Sequence, residues 1–369
     1  MTVLDKGTGR QPAIGEDTAA PVAGLPDPRP VSLTRRTLPR QVPWAVAAGG
    51  VALAVVLGLV LDNRGLAVFL AGVAFIAVLT AVSWRFEDGR RARDRFATSL
   101  ISTAFVLAVL PLVSVLGYTI QRGVDKLTPY FLTHSMRGVG ARDDTGGVYH
   151  AIVGTLEQVG LATLIAVPIG LFTAIYLVEY GRGRLASTVT FFVDVMTGLP
   201  SIVAGLFVYA FWILMLGFQA SGFAGSLALM ILMLPTVVRS AEEMLKLVPN
   251  ELREASLALG IPKWRTVLKV VLPTAFGGIV TGVMLSIARV IGETAPLLLL
   301  VGLTQSINTD PFSGWQSALP LFVYDQNHAG NAFAEERAWA GALTLILIVM
   351  LLNLAARLIA RWKAPKAGR

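Results

Sequence analysis

The most informative part of this chain is the segment Glu254-Ala255-Ser256-Leu257-Ala258-Leu259-Gly260, with Leu272-Pro273 after eleven further residues. The segment predicts a short helix that ends at Gly260, because glycine readily adopts the left-handed conformation found at helix C-termini. Pro262 prevents that helix from continuing. A second, basic helix then leads into an apolar stretch long enough to cross a membrane.

The composition of the chain is that of a polytopic membrane protein. Of its 369 residues, 54% are hydrophobic and only 15% are charged, and the apolar residues form long runs. A net charge of +8 would also suit a nucleic-acid-binding protein, but the basic residues adjoin the apolar runs, where they normally set membrane topology. We expect no nucleic-acid partner. The absence of cysteine and the wide spacing of the three histidines predict no metal site.

Eight apolar stretches predict an all-α, polytopic membrane helix bundle of about eight transmembrane helices. They cover residues 43–61, 66–84, 98–120, 151–178, 190–217, 223–238, 275–302 and 338–360. The fifth contains Pro200, which we expect to kink an otherwise continuous helix, and the sixth is short, with its end placed near Pro235. Residues 1–42 are rich in proline and are predicted to be a disordered tail.

The distribution of Arg and Lys predicts the orientation in the membrane. If the N-terminus is inside, most of the 31 basic residues fall in cytoplasmic segments, and Arg289 lies within a span. This bias agrees with the positive-inside rule and places both termini in the cytoplasm. The segment described first then lies in a cytoplasmic loop over 241–275, between the sixth and seventh spans.

Two interpretations of that loop are open from the residues alone. Leu252, Ala255 and Leu259 fall on one face at helical spacing, which is compatible with an ordinary amphipathic connector on the membrane surface. The small side chains of Ala255, Ser256 and Ala258 would also let a partner protein approach closely. Helix signals do not distinguish a connector from a docking element.

The loop closely resembles the EAA loop of ABC importer permeases, the binding-protein-dependent transport permease family. Their pattern is Glu-Ala-Ala, three residues, Gly, nine residues, Ile, one residue and Leu-Pro. The positions that match it with the correct spacing are Glu254, Ala255, Gly260, Leu272 and Pro273, while Ser256 and Val270 are mild departures. The resemblance implies a type I importer (MetI-like) permease core, in which this loop couples to an ATPase subunit. Glu254 would contact the ATPase cleft and Gly260 would set the turn.

A second candidate site is the pair Arg289 and Glu293 in the seventh span. The two residues are four apart, so a continuous helix would place them on the same side. A charge near the middle of a span costs at least roughly 2.5–3.5 kcal/mol, and such residues usually face a bundle interior or a water-filled cavity. One interpretation is mutual neutralisation. The other is an anion pathway, in which Arg289 binds phosphate oxygens and Glu293 competes for Arg289 and favours release.

The stretch from Ala288 to Leu298 resembles phosphate-importer permeases of the PstA family, as do Gly198 to Phe207, Ser317 to Tyr324 and Asn353 to Arg357. By this resemblance Pro200, Ser201 and Gly205 line the translocation route, although Gly198 and Pro200 could merely shape a kink. The resemblance divides the chain into a cytoplasmic tail over 1–42, an extra transmembrane helix pair over 43–97 and a first core helix with its outer loop over 98–150. A permease domain over 151–360 and a cytoplasmic tail over 361–369 follow.

The resemblance also implies the surroundings of the chain. It predicts a multi-pass protein in the plasma membrane of a bacterium, in contact with membrane lipids, a second permease subunit, an ATPase dimer and an extracytoplasmic phosphate-binding protein. The chain has no Gly-x-x-x-x-Gly-Lys-Ser/Thr motif, so ATP and Mg²⁺ are expected on the ATPase and no cofactor or enzymatic activity is expected here.

Three alternatives stay open. The chain could be an ABC importer permease for another oxyanion or small solute, which would have the same coupling loop. It could be an ion-coupled secondary transporter or channel, which would work without an ATPase. A membrane anchor or sensor for phosphate signalling is a third role that the sequence does not separate from transport.

Overall fold

The computed structural model describes residue 39 and residues 41–61, 64–87, 89–140 and 142–363. The predicted tail over 1–42 falls almost entirely outside these residues, as do residues 364–369 of the predicted C-terminal tail. The described residues form α-helices, three short π-helical segments and loops, and none of them lies in a β-strand. The predicted all-α fold is confirmed.

The helices follow one another with short connections. In chain order they are α1 (Gln41–Val60), α2 (Arg64–Phe86), α3 (Gly89–Gly123), α4 (Pro129–Thr133), α5 (Tyr149–Ile175), α6 (Arg184–Thr197), α7 (Ser201–Val208), α8 (Gly222–Lys246), α9 (Asn250–Ala258), α10 (Lys263–Thr266), α11 (Leu272–Val290), α12 (Ala295–Leu300), α13 (Leu319–His328) and α14 (Ala332–Lys363). The π-helical segments are Tyr176–Tyr180, Tyr209–Met215 and Val267–Val271.

Seven helices among the described residues are long and apolar enough to cross a membrane, and one bent pair would make an eighth span. The bent pair is Arg184–Thr197 with Ser201–Met215, and the helix direction changes by 109° between its two halves. The number of spans therefore agrees with the prediction. The predicted fifth span over 190–217 was wrong in its shape, because Pro200 separates two steeply inclined helices and does not merely kink one.

Two other predicted spans have different ends. The sixth does not stop near Pro235, because α8 continues to Lys246 and Pro235 lies buried inside it. The seventh was predicted to run over 275–302, but α11 ends at Val290 and α12 begins only at Ala295. The membrane helix before this break is longer than predicted at its other end, since it starts at Lys263.

The chain forms two compact units that divide within α3, between Leu110 and Pro111. In the first unit, α1 and α2 pack as an antiparallel pair, with Gly50 against Phe75 and Gly58 near Ala67. Directly after α2, the carboxylate of Glu87 accepts hydrogen bonds from Arg95 at 2.7 and 3.0 Å.

The second unit is built on the packing of α5 along α8. Gly170 of α5 allows this close approach, since any Cβ at that position would lie 2.7 Å from a methyl carbon of Val237. The main hydrophobic core contains residues of α5, α7, α8, α11 and α12, and α11 also packs against α14. A separate small core, which includes Leu245 and Val271, lies beneath the loop between α8 and α11. This small core supports the predicted coupling loop.

Candidate coupling and translocation sites

The coupling loop contains the short helix that the sequence predicts. Helix α9 starts at Asn250 after Pro249, and Glu251 lies in its first turn, where a negative charge is favourable. At its end, the N–H of Gly260 donates to the carbonyl of Leu257 at 2.9 Å. With a φ of +75° at Gly260, this geometry is a Schellman motif, which ends a helix without leaving its last carbonyls unpaired.

Ser256 faces the inside of the loop. Its hydroxyl lies 2.8 Å from the hydroxyl of Thr266, and both side chains are buried. The expectation that Ser256 leaves room for a partner protein was therefore wrong, because its side chain joins α9 to α10. Ala255 and Ala258, by contrast, are exposed.

Leu272 and Pro273 lie inside a continuous helix and not at its start. Helix α10 passes through the π-helical segment Val267–Val271 into α11, and the N–H of Leu272 donates to the carbonyl of Val267. This π-helical hydrogen bond, which spans five residues, lies directly before Pro273, which has no N–H to donate. The predicted re-entry point is thus a local change of helix type. Leu272 is half-buried and Pro273 is exposed.

The loop is anchored to two membrane helices by Arg253, which sequence reasoning missed. Its guanidinium donates to the Glu179 carboxylate at 2.9 Å and to the carbonyl of Leu245 at 2.7 Å. Lys263 adds a hydrogen bond to the carbonyl of Glu179, and its ammonium lies 5.0 Å from the centre of the Tyr180 ring. The available signal was Glu179 itself, an acidic residue at the end of a long apolar helix.

The face of the loop that points away from the small core is largely exposed. Glu254 and Ala255 are exposed, and so are the large apolar side chains of Leu257, Leu259 and Trp264. Leu259 is 80% exposed. A rigid element that presents apolar side chains beside a carboxylate has the character of a protein-docking surface.

The structure does not place Arg289 and Glu293 on one helix. Arg289 is in the last turn of α11, whereas Glu293 follows the helix end and its N–H donates to the carbonyl of Val290. Among the described residues, no hydrogen bond or ion pair joins their side chains. Arg289 is exposed and Glu293 is half-buried. The predicted pairing along a continuous helix was wrong, and the guanidinium is not enclosed by this chain alone.

The two predicted translocation motifs are brought together at Gly205. Pro200 precedes the first residue of α7, Ser201, and α7 packs against α12. A Cβ at position 205 would lie 2.8 Å from the Cα of Pro296, so only glycine allows this approach. Pro200 is exposed and Ser201 is half-buried. The segment with Pro200 and Ser201 thus lies beside the one with Glu293.

Comparisons with known proteins identify the family. A family model described as "Binding-protein-dependent transport system inner membrane component" matches residues 166–369, which include every candidate residue above. The phosphate transport system permease protein PstA 1 of Mycobacterium tuberculosis is 54% identical over 285 residues, covering 76% of this chain and 91% of that protein. PstA of Pasteurella multocida is 38% identical over 272 residues, covering 73% of this chain and 95% of that protein.

A chain from an inward-facing structure of the MetNI methionine ABC transporter aligns at a TM-score of 0.47 and 22% identity, over 59% of this chain and 95% of that chain. From the family model and the identity with the relatives, the chain belongs to the family of binding-protein-dependent transport system inner membrane components.

Proposed function

We propose that this chain is the membrane-spanning permease subunit of an ATP-driven phosphate importer. The observation that carries the proposal is the 54% identity with a phosphate transport permease over 91% of that protein. Such a subunit needs a coupling element and an anion-binding group. The anchored coupling loop is suited to the first role, and Arg289, whose charge is not paired with Glu293, is suited to the second.

Phosphate would pass the face of the chain that carries Arg289, Glu293, Pro200 and Ser201. A guanidinium binds phosphate oxygens with two parallel hydrogen bonds. This interaction is strongest where water is excluded. Because Arg289 is exposed in the single chain, a second permease subunit packed on this face would complete the enclosure. Glu293, four residues away and on a turn, would weaken the hold on phosphate and favour its release.

The energy for transport would be transmitted to this chain through the coupling loop. A separate ATPase dimer, which holds ATP and Mg²⁺, would receive the exposed face of α9 with Glu254 and Ala255, while Gly260, Leu272 and Pro273 keep the loop in shape. Movement of the coupling loop would be transmitted to the membrane helices through the hydrogen bonds of Arg253 to Glu179 and to Leu245. The chain itself would have no enzymatic activity. Only a partner that binds the two states of the permease differently can drive the change between them.

We further propose that the protein lies in the plasma membrane of a bacterium with both termini in the cytoplasm. The excess of Arg and Lys beside the predicted inner ends of the spans supports this orientation. An extracytoplasmic phosphate-binding protein would then deliver phosphate to the outer loops. Reporter fusions at the two ends would test the orientation: an enzyme that works only outside the cytoplasm should be inactive at both.

The decisive experiment is uptake of labelled phosphate by liposomes that contain this chain, a second permease subunit, the ATPase and the binding protein. We expect accumulation that needs ATP and is not reduced by excess sulfate. If an excess of another oxyanion reduces the uptake of phosphate, this would favour a permease for that other solute. Entry of labelled phosphate without the ATPase would indicate a secondary transporter or a channel. So would failure of a nucleotide-binding subunit to co-purify with the chain.

A further inference from the structure

A buried polar network joins α5 to the segment that precedes α13. The amide nitrogen Nε2 of Gln316 donates to the Glu157 carboxylate at 2.5 Å. Nε2 of Gln158 donates to Oε1 of Gln316 at 2.9 Å and to the carbonyl of Ser317 at 3.2 Å. Gln158 is 0% exposed and Gln316 is 1% exposed. Gln158 lies in the membrane helix α5, where a buried polar side chain is costly and is often functional.

Glu157 fixes the direction of every bond in the network. A carboxylate only accepts hydrogen bonds, so Gln316 must turn its NH₂ toward Glu157 and its oxygen toward Gln158. Gln158 must then donate, and among the described residues its own Oε1 has no hydrogen-bond partner.

The network acts on the outer end of α12. The backbone N–H of Gln316 donates to the carbonyl of Val301 at 3.1 Å, directly after α12, and the N–H of Ser221 donates to the carbonyl of Leu300 at 3.0 Å. Gly222 lies directly against the Gln316 amide, where any Cβ would collide with it. The side chain of Gln316 is therefore fixed by the network, and its backbone N–H is bonded to the end of α12.

Helix α12 connects this fixed point to the candidate phosphate site. Its six residues span only about 9 Å, so a displacement at Val301 would be carried to the turn at its other end. That turn, residues 291–294, contains Glu293 and follows Arg289.

We propose that Glu157, Gln158 and Gln316 are positioning residues for translocation: they fix α12 and thereby the turn that places Glu293 relative to Arg289. The substrate in this inference rests on the proposed function, but the mechanical connection does not.

The first test exchanges the two groups of the bond between Glu157 and Gln316. Gln316→Glu alone places two carboxylates side by side, and we expect uptake to fall about tenfold, the change expected from loss of one buried hydrogen bond. Glu157→Gln combined with Gln316→Glu restores donor and acceptor between these two positions, because the relocated carboxylate can accept from both Gln158 and the new amide. The hydrogen bond from Gln316 to the carbonyl of Asn308, 3.1 Å long, stays lost in both variants. Uptake should therefore recover in large part but not completely. Gln305→Glu is the matched control, since it adds the same charge to an exposed position of the same loop.

The second test follows the turn itself. The chain has no cysteine, so one introduced thiol can be followed alone. Gly292→Cys places a thiol in the turn, where a Cβ meets no other atom within 4 Å, and Leu285→Cys places one on the exposed face of α11. We expect Gln316→Glu to change the labelling rate of Gly292→Cys severalfold in the assembled complex, because a displaced turn would be covered differently by the second permease subunit proposed to pack on this face. The exchanged pair should reverse this change, and labelling of Leu285→Cys should stay constant.

Three results would overturn the proposal: natural uptake and labelling in Gln316→Glu, no recovery in the exchanged pair, or loss of uptake with unchanged labelling at Gly292→Cys. If Gln316→Glu does not assemble, recovery of assembly and labelling in the exchanged pair still supports the bond, and failure of both variants refutes it. If the natural complex takes up no phosphate, the proposed function fails, while the labelling results still decide the mechanical connection.

Discussion

Arg289 is the single residue on which the proposed pathway depends most. Gln can still form hydrogen bonds but carries no charge, so the phosphate anion would lose its charge-assisted contacts. Each such contact contributes about 1.5–3 kcal/mol, and each 1.36 kcal/mol is about tenfold in rate. We expect Arg289→Gln to lower phosphate uptake roughly 100-fold or more at an unchanged amount of assembled complex.

The control for this change is Arg137→Gln, which removes a charge from an exposed position in the outer loop. Its uptake should match that of the natural chain. Uptake near the natural level in Arg289→Gln would exclude the guanidinium as the anion-binding group.

Arg253 is the residue that we expect to hold the coupling loop in place. The Arg253 and Glu179 side chains are only 16% and 6% exposed, so Arg253→Ala leaves a buried carboxylate without its cation. Removing one member of such a pair typically costs about 3–5 kcal/mol. We expect a lower melting temperature of the purified complex and weaker retention of the ATPase.

A double variant separates loss of the pair from loss of the side chain. Arg253→Ala combined with Glu179→Ala removes both charges, so it should recover part of the melting temperature that Arg253→Ala loses. Glu179→Ala alone completes the cycle: if the losses of the two single variants simply add in the double variant, the pair itself contributes nothing. The carbonyls of Leu245 and Val248 would then be the important partners.

At the scale of secondary-structure elements, Gly260 controls how α9 ends. Its φ of +75° is unfavourable for any residue with a Cβ, by about 1–2 kcal/mol. We expect Gly260→Ala to reduce co-purification of the ATPase, and Gly260→Pro to abolish it, because proline cannot adopt this φ at all. Gly277→Ala is the matched control: it lies within α11, where a Cβ meets no atom within 4 Å. Full co-purification with Gly260→Pro would rule out this loop as the docking element.

The contact between α7 and α12 makes a second prediction at this scale. Gly205→Ala would bring a methyl group to 2.8 Å from the Pro296 backbone, which must move away from α7. Overpacking of this kind typically costs about 1–3 kcal/mol, and we expect reduced phosphate uptake together with a lower melting temperature. A Cβ at position 198 would lie 3.7 Å from its nearest neighbouring atom, the carbonyl oxygen of Val195. Gly198→Ala should therefore leave phosphate uptake and the melting temperature nearly constant. An undisturbed Gly205→Ala protein would show that this contact does not set the pathway.

The elements also show what the sequence could predict. Long apolar runs located the membrane helices, and Gly260 located the end of α9, because both depend on local composition and backbone preference. The 109° bend at Pro200 was not predictable, since proline permits many angles and the packing of Gly205 on Pro296 selects one. The contact between Gln158 and Gln316 joins residues 158 positions apart, which no local pattern reveals.

At the scale of the whole molecule, the candidate residues all belong to one unit. Residues 111–369 form a compact unit, the family model matches 166–369, and the three hydrophobic cores found in the described chain contain residues of this unit only. The coupling loop, the turn with Glu293 and the network around Gln316 all lie within it. No residue that the proposed transport function names lies in α1 or α2.

This arrangement predicts that transport survives removal of the first two helices. A chain that lacks residues 2–88 keeps α3 and the complete second unit. We expect it to assemble with the ATPase and to retain most of the phosphate uptake per assembled complex. The comparison should be made in cells with both chains expressed at matched membrane levels. By contrast, deletion of residues 250–262, which removes α9 and its turn, should abolish uptake, because it removes the proposed docking surface. If the shortened chain assembles fully but does not transport, α1 and α2 take part in the transport cycle, and the second unit is not sufficient for it.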